Sequence, residues 1–139
     1  MNVEVNYLAV VLAMVSSMVV GAVWYAKPVF GKDWAKMVGL TDKKMQEGAA
    51  QAMGITVVVS LVTAYVLAHV SFLSNQYFGN SFLQDSLTTA FWLWLGLTAA
   101  RFITHDAFER RPAKLTLMNV AHELVTLLVM GGVIGLLKP

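Results

Sequence analysis

The residues best placed to do chemistry are Asn119, His122, Glu123 and Thr126, with Arg101 upstream of them. At 100° per residue these four, with Met130, fall within about 100° of one another on a helical wheel. A helix through them therefore carries one polar stripe on an apolar body. Between Lys114 and Lys138, Glu123 is the one acidic side chain and there is no Lys or Arg. Burying such a group is costly unless it is paired or wetted, which makes it a functional-site candidate by default. Two chemistries fit. His122 and Glu123 can form a proton-carrying pair or part of a small-ligand site, with Asn119 and Thr126 supplying hydrogen bonds. Alternatively, Glu123 pairs with Arg101, whose long stem would snorkel toward an interface. In so small a chain the docking pair is the expected arrangement.

Metal chemistry has weaker support. His105, Asp106, His122 and Glu123 are the candidate set, but ligands must converge to about 2.0–2.2 Å from one ion. Their spacing matches no ligand motif. No metal or other cofactor is expected, and His69, near the far end of its own apolar stretch, reads as solvated or interfacial. The absence of cysteine excludes disulfides, thiolate ligands and thiol nucleophiles.

The elements that position these residues follow from composition. The chain has 139 residues, 58 % hydrophobic and 13 % charged, against roughly 25 % charged in an average soluble domain. A single membrane domain is predicted, and the lipid bilayer is its first partner. The formal charge of +2 is explained by loops beside apolar spans, and no nucleic-acid partner is expected. The opening residues Met1 to Glu4 lack the positive charge of a signal peptide, so the first apolar stretch should stay as a helix.

Four spans are predicted, over about residues 7–25, 48–72, 82–103 and 115–137, giving an all-α integral membrane four-helix bundle. The first has roughly 19 uncharged residues, about 28 Å long. Between spans one and two, Phe30, Trp34, Met37, Val38 and Met45 recur at helical spacing, which predicts a short interfacial amphipathic helix ending at Gly39. Thr41 is placed to cap the next helix, and Ser81 with Gln84 has capping-box spacing for the third span. Five Lys lie in the first loop, and Arg101, Arg110, Arg111 and Lys114 lie in or beside the third. By the positive-inside rule these loops are cytoplasmic and both termini lie outside the cell membrane.

The turn after span one is a membrane edge, with Trp24, Tyr25, Phe30 and Trp34 as interfacial anchors among the first lysines. Trp24-Tyr25, then Phe30-Gly31-Lys32, Trp34 and Gly39 carry a resemblance to the family catalogued as domain of unknown function 1761, small bacterial four-helix membrane proteins. The resemblance covers the whole length. It implies the fold and the membrane location, and it supplies neither an activity nor a catalytic residue.

Gly131 and Gly135 form a G-x-x-x-G pair about 120° and 160° from Asn119 on the wheel, well off the polar stripe. They are expected to pack helices, and homodimerisation through them is an expectation. Three functions remain open. An accessory role through helix contacts leads and requires the Arg101–Glu123 pair. A small transporter or channel subunit would use the Glu123 and His122 stripe, in a polar cavity with Thr98 and Ser16 or Ser17. A membrane enzyme acting on a small or lipid-soluble substrate would need His105, Asp106 and His122 to converge.

Overall fold

The computed structural model describes residues 3–139; Met1 and Asn2, the start of the opening segment, lie outside the described residues. Every regular element among the described residues is helical. Helix α1 (Tyr7–Trp24) starts where the Asn6 side chain accepts from the Ala9 amide at 3.1 Å. The same Asn6 donates to the carbonyls of Leu137 and Lys138, tying the start of the chain to its end. After Tyr25 a π-helical turn (Lys27–Gly31) leads directly into α2 (Lys32–Val38), which stops at Gly39 in the left-handed region, as expected of a glycine C-cap. Thr41 then accepts from the Lys44 amide and opens α3 (Asp42–Phe78). At 37 residues α3 is about 55 Å long, well beyond a hydrocarbon core of about 30 Å. It runs past the predicted end at Phe72 to a second left-handed glycine, Gly79.

Helices α1, α3 and α6 (Ala113–Leu137) are each long and apolar enough to cross a membrane. The predicted third span is different. Its helical run is divided into α4 (Phe82–Leu93), a π-helical turn (Trp94–Ala99) and α5 (Ala100–Phe108), of twelve, six and nine residues. The wide turn coincides with Trp94, whose indole N–H donates to the Val120 carbonyl at 2.9 Å. A large ring with one polar atom needs such an acceptor when it is buried. Shifting the register by a π-turn is a local way to supply one. Ser81 caps α4 through the Gln84 amide at 3.2 Å, as its spacing predicts.

Packing follows small residues. α1 lies against α3 and α6, and α4 lies against α3 and α6, closing a ring of four. Val10, Ala13, Ala64, Leu67, Ala68, Ala90, Leu127, Met130 and Ile134 form its core. The ring is closed only toward the Gly79 end. From Asp42 to Val59 no residue of α3 is buried, and no comparable packing joins α3 to the Trp94–Ala99 turn or α5. The bundle is thus tight at one end and splayed at the other.

Candidate functional site

The splayed end holds the polar stripe of α6, and the aromatic turn after α1 closes over it. The Tyr25 hydroxyl donates to Asn119 Oδ1 at 3.2 Å. The His122 ring sits 4.9 Å from the ring of Tyr25 and 5.9 Å from that of Trp24. Phe30 stacks on Trp24 at 4.8 Å, and Trp34 meets Tyr25 edge-on at 5.3 Å. Of the four predicted interface anchors, Trp24 and Tyr25 therefore wall the stripe, and Phe30 and Trp34 pack behind them. They are not separate from it, as a reading of the two segments one at a time suggests.

The turn that brings them there depends on Gly31. A Cβ at that position would run into the Tyr25 carbonyl oxygen and lie 2.9 Å from the Ala26 carbonyl carbon. The Gly31 amide instead donates to the Ala26 carbonyl at 3.0 Å. Pro28 does not end helical structure here. It sits in the first turn of the π-helical segment, where a missing N–H costs nothing. On the outside, Lys114 meets Asp33 at 2.6 Å and Lys27 meets Asp42 at 3.0 Å, binding α2 to the start of α6 and the turn to the start of α3. The Lys114 hydrogen bond, and next its charge, hold the Asp33 carboxyl below its ordinary value.

Inside the box, His122 Nδ1 lies 3.4 Å from Glu123 Oε1 and His122 Nε2 lies 3.4 Å from Thr126 Oγ1. With the proton on Nδ1 toward Glu123, Nε2 is an acceptor for the threonine hydroxyl; protonated, the ring becomes a cation beside the carboxylate. The His122 side chain is 13 % exposed and that of Glu123 33 %. On the α6 wheel Glu123 falls between Met130 and Ile134, both core residues, so it is directed at the bundle axis where α3 leaves the ring open. The Trp24 indole nitrogen, on the ring that meets His122, is buried without a hydrogen-bond partner. A buried donor of this kind calls for a water or a ligand atom.

Several expectations are corrected. Arg101 and Glu123 form no ion pair within 4.0 Å among the described residues; the carboxylate's close partner is His122, and Arg101 lies on an exposed groove along α5. The π-turn just before α5 shifts the register of the helical run, and Arg101 is exposed on the helix that follows it. The set required for an enzyme does not converge either. Asp106 accepts from Thr116 at 2.7 Å, His105 and Asp106 line the groove along α5 without His122, and no three His, Asp or Glu side chains among the described residues are placed to hold a metal ion. Ser16 and Ser17 turn back to the Ala13 and Met14 carbonyls and do not join His122. His69 is half-buried, with its Nδ1 buried without a hydrogen-bond partner and its ring 5.6 Å from that of Tyr65.

Gly131 and Gly135 do pack helices, but within this chain. A Cβ on Gly131 would lie 3.0 Å from Ala90 and Ser86, and one on Gly135 would lie 2.7 Å from the Leu83 backbone. With α4 seated on the pair, it offers no face to a second subunit.

Sequence reasoning passed over one polar knot at the Gly79 end. Asp85 is 2 % exposed and accepts from Asn75 at 2.7 Å and Asn80 at 2.9 Å, while Asn75 also donates to the Asn80 carbonyl. The signal was there in principle, as two asparagines flanking the connection before the one acid between Glu47 and Asp106.

A model of a family described as a protein of unknown function (DUF1761) matches residues 8–135. No curated protein and no solved structure matches.

Proposed function

The chain belongs to the family of proteins of unknown function DUF1761, and from that premise we propose that it is a small transporter subunit whose proton-carrying site is the His122–Glu123 pair. The observation that carries the reading is the surroundings of Glu123. It faces the open axis of the bundle with an imidazole at 3.4 Å and, among the described residues, no Lys or Arg within 4.0 Å. A carboxylate and an imidazole in contact can pass one proton between them and, through the open end, to water. Tyr25, hydrogen-bonded to Asn119, and Trp24, with its unpartnered indole N–H, would hold a small substrate against the pair.

The reading places α1, α3, the Phe82–Phe108 run and α6 across the membrane as four spans. Nine of the ten Lys and Arg then lie on the cytoplasmic side with the aromatic turn, and both termini lie outside. A π-turn does not prevent spanning, because its backbone groups remain bonded within the helix.

The test is proton flux. Proteoliposomes carrying a trapped pH dye are given a pH step, and the wild type is compared with Glu123→Gln and His122→Gln. Faster dissipation by the wild type, lost in both variants, supports the site. Equal rates in wild type, variants and empty vesicles exclude it.

The accessory reading keeps one observation in its favour, the tight seating of Gly131 and Gly135 on α4. It differs in outcome, since helix contacts alone would be indifferent to Glu123→Gln.

A further inference from the structure

We infer that the groove along α5 binds the phosphodiester headgroup of an anionic phospholipid. The inference shares the four-span reading but not the proton site. The groove has a volume of about 480 Å³ and runs along one face of the Trp94–Ala99 turn and α5. That is within the range of small-molecule sites, about 300–1,000 Å³. Leu97 and Phe102 give it apolar walls, and Arg101 and His105 line it one helical turn apart.

Both acids that line it, Asp106 and Glu109, have hydrogen-bond partners, and Glu109 alone is matched by a cation. Asp106 accepts from Thr116 at 2.7 Å, and Glu109 accepts from Arg111 at 2.8 Å. Among the described residues the Arg101 side chain has neither an ion pair within 4.0 Å nor a hydrogen bond. A guanidinium beside apolar walls, near the membrane edge of a span, fits an anion that carries hydrocarbon. Phosphate suits it best, because the planar fork donates two parallel hydrogen bonds to it. α3 does not pack on α5, which leaves the groove open sideways to acyl chains. Basic pockets between spans on the cytoplasmic side bind anionic headgroups by this combination.

The experiment is native mass spectrometry of the full chain in mixed micelles of phosphatidylglycerol and phosphatidylcholine. The wild type is expected to retain phosphatidylglycerol preferentially, and Arg101→Gln to reduce that preference roughly tenfold, as for one lost charge-assisted contact. Arg101→Lys, which keeps the charge and loses the planar fork, is expected to fall between the wild type and Arg101→Gln, and Lys43→Gln on the exposed start of α3 retains the preference. Millimolar inorganic phosphate leaves the bound lipid in place. Equal retention of the two lipids by the wild type overturns the inference, and so does an unchanged preference in Arg101→Gln. Displacement by inorganic phosphate overturns the lipid assignment, and a lipid-free dimer would assign the groove to a second copy. If Arg101→Gln loses helical content, the wild-type comparison decides alone. Because the readout is retained lipid, failure here and failure of proton flux are separate results.

Discussion

Tyr25 and Asn119, 94 positions apart in the chain, are joined by a hydrogen bond of 3.2 Å from the phenol to the amide oxygen. The bond couples the turn after α1 to the polar stripe of α6. The segment after α1 thereby becomes the lid of the site, with Trp24 and Tyr25 against His122.

Tyr25→Phe keeps the ring and removes the donor. Asn119 then loses its partner in a half-buried position, a loss of roughly 0.5–1.5 kcal/mol, with a central expectation of about 0.6 kcal/mol inside a bilayer. Reversible unfolding in mixed micelles measures it. A cycle with Asn119→Leu should show the two changes failing to add, and full additivity would contradict the bond.

The glycines of α6 should separate sharply. Gly135→Ala sets a methyl 2.7 Å from the Leu83 backbone, and a helix backbone cannot yield as a flexible side chain does. Overpacking of this kind destabilises by about 1–3 kcal/mol. Gly132→Ala has nothing within 4 Å and should gain up to about 1 kcal/mol of helix propensity. Thermal unfolding of the two variants side by side tests the packing of α4 on α6; equal midpoints would refute it.

Much of the fold was legible because long uncharged stretches and cap residues are local signals. α1, the start of α3 at Thr41, the stop at Gly39 and the cap at Ser81 all rest on residues within a few positions of each other. What was not legible is non-local. The π-turn at Trp94 answers to a carbonyl on α6, and the Asp85 knot answers to asparagines across a connection. The polar stripe and both candidate partners of Glu123 could be read from the sequence, but the choice between them could not. Arg101 and His122 compete for Glu123 only once the register of α5 is known.

Asp33 gives a titration with a definite sign. Lys114 holds its carboxyl below the ordinary value in the folded chain. The contact therefore contributes fully above the unfolded carboxyl pKa of about 3.9 and is lost as pH falls through the lowered folded value. Carboxyl NMR shifts should show Asp33 titrating below the ordinary carboxyl value, and Lys114→Gln should return it toward that value. Because both groups are exposed, added salt should weaken the shift.

Asp85→Asn tests the knot at the closed end. The carboxylate accepts one hydrogen bond on each oxygen, from Asn80 and Asn75. An amide can accept on one side only and turns a donor toward the other asparagine. The expected loss is roughly 1–3 kcal/mol, and hydrogen exchange should rise at the end of α3 and the start of α4. Protection unchanged there would show that the connection does not depend on Asp85.

The last prediction separates the two readings of Glu123. Breaking a buried ion pair by removing one partner costs about 3–5 kcal/mol, because the other charge is stranded. If Arg101 docked on Glu123, Arg101→Gln would carry that loss and the cycle with Glu123→Gln would show strong coupling. In this structure Arg101 is exposed on its groove and Glu123 contacts His122. Arg101→Gln should therefore stay within about 0.5 kcal/mol of the parent, with coupling to Glu123 no larger than about 0.3–0.5 kcal/mol, as for distant sites. The cycle of His122→Gln with Glu123→Gln should instead depart from additivity, by about 0.5 kcal/mol or more. Both cycles can be measured by unfolding in the same micelles. A large coupling to Arg101 with none to His122 would restore the docking pair and remove the basis for a proton-carrying site.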